Sequence, residues 1–317
     1  DYLGLPIIAT TINSQIKIEA TQNNYREFKI IKKDLGLTEV IPIDYEYNLG
    51  EKDFLKIALE VLKDFDTIII IGARRPVAFF AYPNKPGVLT QDSTKFFELA
   101  SISDDITTVV EELSDRIGIS NNTPSTISKF DIPDIPKGPI NPMSLGMVLG
   151  ALIPENAIIV DESVTTGREF FYQTSGSHPH TWLNNCGGSI GFGMPVAIGA
   201  AISSPSQKVI SLEGDGSAMY TVQSLWTMAR ENLDIVVLIF ANQSYKILQG
   251  ELTNVGVDNP GKSAMEMLSL KDPAIDWVSI SKGMGVDAVK VENIEDLVKY
   301  FKHGLKEKGP FLIEVLI

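Results

Sequence analysis

The sequence predicts an α/β protein of two Rossmann-like domains with mostly parallel sheets. Short runs of β-branched residues alternate with helical patterns, which is typical of strands that cross over through helices. Pro, Ser, Asn and Thr dominate residues 119–140, which favours an extended linker between two such series. Hydrophobic residues make up 44% of the chain and charged residues 21%, as in globular proteins. We expect a first domain over 1–120, a linker over 121–138 and a second domain over 139–317.

The first domain is expected to hold two strands and three helices. Residues 6–10 and 67–72 form apolar runs, and the second of these ends at Gly72, as a central parallel strand does. Helical patterns cover 23–36, 54–65 and 107–117. Because no strand and helix precede Pro6, we expect this domain to be incomplete at its N-terminus.

The second domain is expected to begin with a helix capped by Asn141 that runs to residue 153. Strands are predicted at 157–161, 208–212, 234–241 and 311–317. Helices are predicted at 196–203, 221–231, 274–283 and 293–308. This alternation indicates a parallel sheet covered on both faces.

Charge and composition exclude several classes of function. The net charge of −13 disfavours nucleic-acid binding, since a phosphate backbone needs a basic surface. The apolar run at 6–11 is too short to span a membrane. Cys186 is the single cysteine, so no intramolecular disulfide forms; this suits the cytoplasm, and we interpret Cys186 as a packing residue. Because the chain is acidic, a bound phosphate would need backbone N–H groups and a metal ion rather than a cluster of Lys and Arg side chains.

The segment 212–219 reads Leu-Glu-Gly-Asp-Gly-Ser-Ala-Met and lies between a predicted strand and a helix. Gly214 and Gly216 let the backbone approach a ligand closely. Ser217 lies where the start of a helix offers free N–H groups to a phosphate. Asp215 would repel a bare anion, so this pattern indicates a cation between them.

The segment 241–245, Ala-Asn-Gln-Ser-Tyr, ends the next predicted strand. Adjacent parallel strands end at the same crevice, where such sheets bind ligands. Asp215, Asn242 and the carbonyl of Ser244 would then supply three hard oxygen ligands, with diphosphate and water completing the octahedron of Mg²⁺. Taken alone, each piece favours a simpler interpretation, in which Gly-Asp-Gly marks a turn and Asn242 caps a loop.

Together, the Gly-Asp-Gly motif and Asn242, with 25 residues between Gly216 and Asn242, resemble thiamine-diphosphate (ThDP) enzymes. The Gly-rich segment 187–201 is similar to the part of those enzymes that cradles the two rings of the cofactor. The resemblance implies that Ile190 wedges between the rings and that the carbonyl of Gly188 accepts a hydrogen bond from the 4′-amino group. A Gly-rich helix start that packs on the sheet is the structural alternative.

The segment 160–167 resembles the diphosphate-contacting loop of the benzoylformate decarboxylase and acetolactate synthase branch. Thr165 is the best hydroxyl donor, with Ser163 and Thr166 behind it, although Ser and Thr here are equally suited to helix capping. Tyr245, on the segment 243–251, is expected to line the cofactor and substrate side.

The chain resembles acetolactate synthase large-subunit-like proteins, from partway through their central domain to the end of their diphosphate-binding domain. This implies ThDP- and Mg²⁺-dependent decarboxylation and carboligation of a 2-oxo acid in a homo-oligomer. The pyrimidine-binding domain and its catalytic glutamate fall outside this chain, so they are expected in cis on a lost segment or in trans. Glu162 and Glu213 are expected at the diphosphate end, away from the ring-binding segment, and the isolated chain is expected to be inactive.

Two questions stay open at this point, the activity of the chain and the role of two histidines. The chain could be a simple 2-oxo acid decarboxylase or a non-catalytic subunit on the same scaffold. His178 and His180, which precede the ring-binding segment, either handle substrate protons or lie in a surface turn. No Gly-x-Gly-x-x-Gly follows the strand at 67–72, so FAD is not expected.

Overall fold

The computed structural model describes residues 61–78, 86–119, 121, 129–257 and 259–317, apart from the side chain of Cys186, and the backbone of three earlier strands. The chain divides into two compact units, one drawn from residues 2–127 and the other from 128–317. Among the described residues, no helix is long and apolar enough to cross a membrane.

The described strands of the N-terminal unit form two sheets. Strands β1 (Ile16–Ile18), β2 (Glu27–Lys32) and β3 (Leu37–Pro42) form an antiparallel sheet in that order. Strands β4 (Thr67–Ile71) and β5 (Lys95–Ala100) pair in parallel. The predicted strand at 67–72 is thereby confirmed, and so is the helix at 107–117, which is α1 (Ile106–Arg116).

The predicted helix at 23–36 is wrong, because β2 occupies 27–32 and pairs with β3. Lys and Glu gave this segment a helical composition, but its Phe and Ile residues suit a strand, and the intervening Asp34 and Gly36 favour a hairpin. Pairing with a neighbour therefore outweighed local propensity. The predicted strand at 6–10 and most of the helix at 54–65 lie outside the described residues.

The C-terminal unit is built on one sheet of six parallel strands in the order β10-β11-β9-β8-β6-β7. This confirms the predicted α/β class with mostly parallel sheets. The central strand β9 is apolar and buried along its whole length, as expected for a strand covered on both faces. The strands are β6 (Ile158–Glu162), β7 (Thr181–Asn184), β8 (Val209–Gly214), β9 (Ile235–Ala241), β10 (Asp287–Val291) and β11 (Phe311–Leu316).

Helices cover both faces of this sheet. On one face α2 (Pro142–Leu152) and α10 (Ile294–Lys306) pack in one apolar cluster, and on the other α4 (Gly193–Ser203), α6 (Ser224–Arg230) and α9 (Trp277–Gly283) pack in a second. Asn141 caps α2 in a reciprocal capping box with Ser144, as predicted from the sequence. Shorter helices are α3 (Phe170–Gln173), α5 (Asp215–Ala218), α7 (Lys246–Asn254) and α8 (Lys262–Met267).

The parallel sheet brings the predicted motifs to one edge. Glu162 at the end of β6 is the register partner of Glu213 on β8, and Gly214 is the partner of Phe240 on β9. The loops that follow these three strands therefore emerge side by side at the carboxyl edge, which is where open parallel sheets bind ligands. The strands β7 and β10 were not predicted, because each is a short edge strand without a continuous apolar run.

Candidate functional site

Asp215 lies at the centre of the carboxyl edge, directly after β8. Its side chain is buried, with 3% of the residue exposed. One carboxylate oxygen accepts a hydrogen bond from the N–H of Gly216 at 2.9 Å, and the other accepts one from the N–H of Gln243 at 2.6 Å. The loop after β9, which contains Asn242, is thus tied to the carboxylate that the sequence singled out.

Burial raises the pKa of Asp215 from 3.8 to about 6, although the N–H groups of Gln243 and Gly216 oppose this rise. A desolvated carboxylate in this state is stabilised by a nearby cation. The described residues contain no cluster of three or more His, Cys, Asp or Glu side chains that could hold a metal. A set of one carboxylate, one carboxamide and one carbonyl is instead the oxygen chemistry that suits Mg²⁺ with diphosphate oxygens and water.

The loop after β9 is held in a defined and strained form. Gln243 has a φ of 55°, a left-handed conformation that a non-glycine residue adopts at some energetic cost. The carboxamide oxygen of Asn242 accepts from the N–H of Ser244 at 3.0 Å. On either side of Ser244, the carbonyl of Gln243 accepts from Leu270 N and the N–H of Tyr245 donates to Leu268 O. Both predicted ligand residues on this loop are therefore fixed by backbone contacts.

The ring of Tyr245 occupies the space that a side chain at position 216 would need. A Cβ at position 216 would lie 2.7 Å from Cε1 and 2.8 Å from Cδ1 of Tyr245. A Cβ on Gly214 would contact the Oγ of buried Ser217 and the carbonyl oxygens of Glu162 and Ser163. The structure therefore brings Gly214, Gly216, Ser217 and Tyr245 together around Asp215, next to the loop that follows β6.

That loop carries the predicted diphosphate-contacting hydroxyls. Ser163 is buried, and both its N–H and its hydroxyl donate to Asp161, so its hydroxyl acts within the loop. Thr166 is buried as well, whereas Thr165 is half-buried. Val164 has a φ of 51°, which is unusual strain for a β-branched residue. Of the hydroxyls named from the sequence, Thr165 is the more accessible.

The Gly-rich segment forms a loop ahead of α4. Gly187, Gly188 and Gly191 have φ values of 71°, 66° and 91°, which only glycine adopts easily. Ile190 is 43% exposed, so its side chain does not belong to the buried core. The hydroxyl of Thr221 donates to the carbonyl of Gly191 at 2.9 Å and ties the loop to the start of the following helical segment.

Glu162 is a site residue whose position the sequence analysis predicted wrongly. Its carboxylate lies under the ring-binding segment, accepting hydrogen bonds from the N–H groups of Gly191 at 2.7 Å, Phe192 at 3.3 Å and Gly193 at 2.8 Å. The expectation that no glutamate lies near this segment is therefore incorrect. The alternation of β6 could have revealed this, because it places Glu162 on the same face as Ile158 and Val160, where a carboxylate needs donors.

Glu213 lies beside Glu162 as its register partner and is fully buried. Burial first, and then the charge of Glu162, raise the pKa of Glu213 well above its ordinary value. One of its oxygens accepts from the hydroxyl of Ser211 at 2.6 Å, and the other is a buried atom without an acceptor or donor among the described residues. A buried carboxyl oxygen without a donor leaves the charged form poorly stabilised, which favours the neutral acid at this position.

His178 and His180 do not join this cluster. They precede β7, whose first residue Thr181 pairs with Ile158 at the start of β6. Four residues of β6 separate that level from Glu162, which is roughly 13 Å along the strand. The ring of His178 packs on Phe130, and Nδ1 of His180 contacts the carbonyl of His178. Because both histidines precede the first residue of β7, they lie near the amino edge of the sheet, away from Asp215.

Residues 166–315 match the family described as thiamine pyrophosphate enzyme, C-terminal TPP binding domain. The match covers most of the C-terminal unit. At its carboxyl edge the C-terminal unit has the buried carboxylate of Asp215, a backbone lined by Gly214 and Gly216, and the strained loop that contains Gln243. These features fit a diphosphate held through Mg²⁺, and Asp215, Asn242 and Ser244 are the residues that would hold it.

Curated relatives match parts of the chain. A Mycobacterium tuberculosis protein named "Putative acetolactate synthase large subunit IlvX" is 39% identical over 254 residues, which is 79% of this chain and 48% of the relative. Benzoylformate decarboxylase from Pseudomonas aeruginosa is 35% identical over 179 residues, 56% of this chain and 32% of the relative. The chain therefore spans about half, or less, of the length of these curated relatives.

The fold is also similar to that of a solved enzyme. The ThDP-dependent 4-hydroxybenzoylformate decarboxylase of Rhodococcus jostii RHA1 has a TM-score of 0.64 and 27% identity, over 80% of this chain and 49% of that one. The predicted recognition of this chain as a relative of ThDP enzymes of the acetolactate synthase and benzoylformate decarboxylase type is confirmed.

Proposed function

We propose that the C-terminal unit anchors ThDP through Mg²⁺ held by Asp215, Asn242 and the carbonyl of Ser244. The observation that carries this proposal is the buried carboxylate of Asp215, which has two backbone N–H donors and a pKa raised by desolvation. Gly214, Gly216 and Ser217 would face the diphosphate, and Thr165 would add a hydroxyl donor. These groups all lie at the carboxyl edge of the sheet.

The ring end of the cofactor would lie on the loop that precedes α4. Gly188 and Ile190 are exposed in this loop, which contains three glycines in left-handed conformations. Its backbone at Gly191 forms hydrogen bonds with the side chains of Thr221 and Glu162. An exposed isoleucine on a loop that these hydrogen bonds hold supports the proposed wedge role of Ile190, and the carbonyl of Gly188 would orient the 4′-amino group. Tyr245, packed on Gly216, would bound the site beside the metal loop.

The reaction we propose is the decarboxylation and carboligation of a 2-oxo acid, as the acetolactate synthase name of the 39% identical relative suggests. When bound, ThDP supplies an electron sink for the electron pair left when CO₂ departs. This chain's part would be to hold and orient that group at the carboxyl edge of the sheet. A pyrimidine-binding domain, in cis or in trans, would supply the catalytic glutamate. A homo-oligomer would bring that domain together with the diphosphate-binding domain.

A simple 2-oxo acid decarboxylase is the second candidate, and the similarity to benzoylformate decarboxylase and its 4-hydroxy counterpart favours it. Product analysis with pyruvate and with benzoylformate separates the two, in the presence of a pyrimidine-binding partner. A ligated product from two pyruvates identifies the synthase, whereas an aldehyde alone identifies the decarboxylase. We propose that the isolated chain binds the cofactor without turning over substrate.

Calorimetric titration of ThDP with and without Mg²⁺ tests the proposed metal site. Asp215→Ala is expected to weaken Mg²⁺-dependent binding by about 2–4 kcal/mol, because a charged and desolvated partner is lost. Asp276→Asn is the matched control, since Asp276 caps α9 and its asparagine replacement keeps an acceptor for Ser279 N. Equal binding by the wild type and Asp215→Ala would overturn the assignment of the metal.

A further inference from the structure

Glu162 joins the strand β6 to a loop that follows it by about thirty residues. Its carboxylate accepts from three successive backbone N–H groups, those of Gly191, Phe192 and Gly193, and from the side-chain amide of Asn185 at 3.2 Å. Only 2% of the residue is exposed. A buried carboxylate with four N–H donors forms strong charge-assisted hydrogen bonds, so its contacts with the loop are energetically substantial.

These N–H groups are the ones that a helix leaves unsatisfied at its start. Phe192, the residue before α4, makes no side-chain cap of its own. Glu162 therefore caps α4 from a different strand, and its negative charge lies at the positive end of the helix dipole. This contact fixes where the helix begins and hence where the loop before it ends.

The other end of the loop is tied to the same carboxylate. The amide of Asn185 donates to Glu162 and also to the carbonyl of Ser189 at 3.2 Å. The backbone between these attachments carries Gly188 and Ile190, which are both exposed, whereas Glu162 is buried. The position of these two residues thus depends on one side chain that does not itself reach the surface.

We propose that Glu162 is a positioning residue, whose carboxylate sets the loop 185–193 so that Gly188 and Ile190 meet the rings of ThDP. This inference rests on the proposed function. Because its carboxylate is buried against the loop, we expect Glu162 to act through the backbone that it binds and not by contact with the cofactor. Its removal is therefore expected to impair recognition of the ring end and to spare the metal and diphosphate end.

The test compares two ligands on the full chain, ThDP with Mg²⁺ and inorganic diphosphate with Mg²⁺. Glu162→Gln keeps the size of the side chain but replaces one acceptor oxygen by an NH₂ group that faces a backbone N–H. It is expected to lower ThDP affinity by about tenfold or more, the scale of a lost hydrogen bond to a charged group, and to leave diphosphate affinity unchanged. Hydrogen exchange of the amides 191–193 is expected to accelerate in parallel.

Two further variants keep the test decisive. Asn293→Ala removes the cap of α10, on the other face of the sheet, and is expected to lower stability without changing either affinity. Asn185→Ala removes the second attachment of the loop and is expected to reproduce the selective loss in smaller measure, should Glu162→Gln fail to fold. Glu162→Asp keeps the charge and is expected to recover part of the ThDP affinity.

The outcomes separate this inference from the function on which it rests. Equal losses for both ligands in Glu162→Gln, or no loss for either, would make Glu162 an ordinary helix cap and overturn the inference alone. A wild-type chain that binds Mg²⁺-diphosphate but shows no additional affinity for ThDP would also overturn it. A wild-type chain that binds neither ligand would overturn the proposed function, and the inference with it.

Discussion

Asp215 shows how a single residue can be costly for the fold and useful for the site. Its pKa is about 6 in the folded chain against an ordinary value of 3.8. The raised pKa means that its contribution to stability is fully present below pH 3.8 and is lost as the pH rises through about 6. The difference is worth up to roughly 3 kcal/mol, so at neutral pH the chain carries a carboxylate that favours any bound cation.

Asp215→Asn therefore predicts a change in the pH dependence of stability. In EDTA, the free energy of unfolding of Asp215→Asn relative to the wild type is expected to increase between pH 4.5 and pH 7.5, because only the wild type must ionise a buried carboxylate. Urea denaturation at the two pH values measures this difference, and subtracting the curves removes the shared contribution of Glu213. A constant difference would show that Asp215 is ordinarily solvated.

At the scale of the element, helix α4 begins at Gly193, where the neighbouring atoms leave no space for a side chain. A Cβ on Gly193 would lie 2.2 Å from Oε1 of Glu213, which is fully buried. Gly199, in the same helix, faces open space. The two positions form a matched pair, since the same substitution meets a buried carboxyl at one and solvent at the other.

Gly193→Ala is expected to destabilise the chain by about 1–3 kcal/mol through overpacking. Gly199→Ala is expected to stabilise it by about 0.8–1 kcal/mol, because alanine is the better helix former. Urea denaturation of both variants measures the contrast. If the two changes shift stability in the same direction, the carboxyl of Glu213 does not lie beneath the first turn of α4.

The same element shows which parts of the site could be predicted from sequence. Gly214, Asp215 and Asn242 follow long apolar strands, so local patterns placed them at neighbouring strand ends. The alternation along β6 indicates that Glu162 faces the buried side, but its contact with Gly191 depends on where α4 begins relative to β6, which no local pattern records. The strand β2 was missed for a related reason, since pairing with β3 decided its conformation.

At the scale of the whole molecule, the C-terminal unit exposes large apolar side chains on the face covered by α4 and α6. Ile190, Met219, Tyr220 and Trp226 are exposed there by 43%, 39%, 64% and 53%. Gly191 lies against Tyr220, so this surface adjoins the ring-binding loop. Exposed apolar surface of this kind favours association with another protein surface.

We therefore expect the purified chain to self-associate through this surface. Its weight-average mass in sedimentation velocity is expected to rise with concentration, and the double substitution Tyr220→Glu with Trp226→Glu is expected to return it towards the monomer, because two charges would have to be desolvated at the contact. Met143→Glu is the matched control: Met143 is 59% exposed on α2, on the other face of the sheet, and its substitution is expected to leave association unchanged. Equal effects of the control and the double substitution would place the contact elsewhere. A chain that stays monomeric at all concentrations would show that this surface needs a different partner, as a binding face for a pyrimidine domain would.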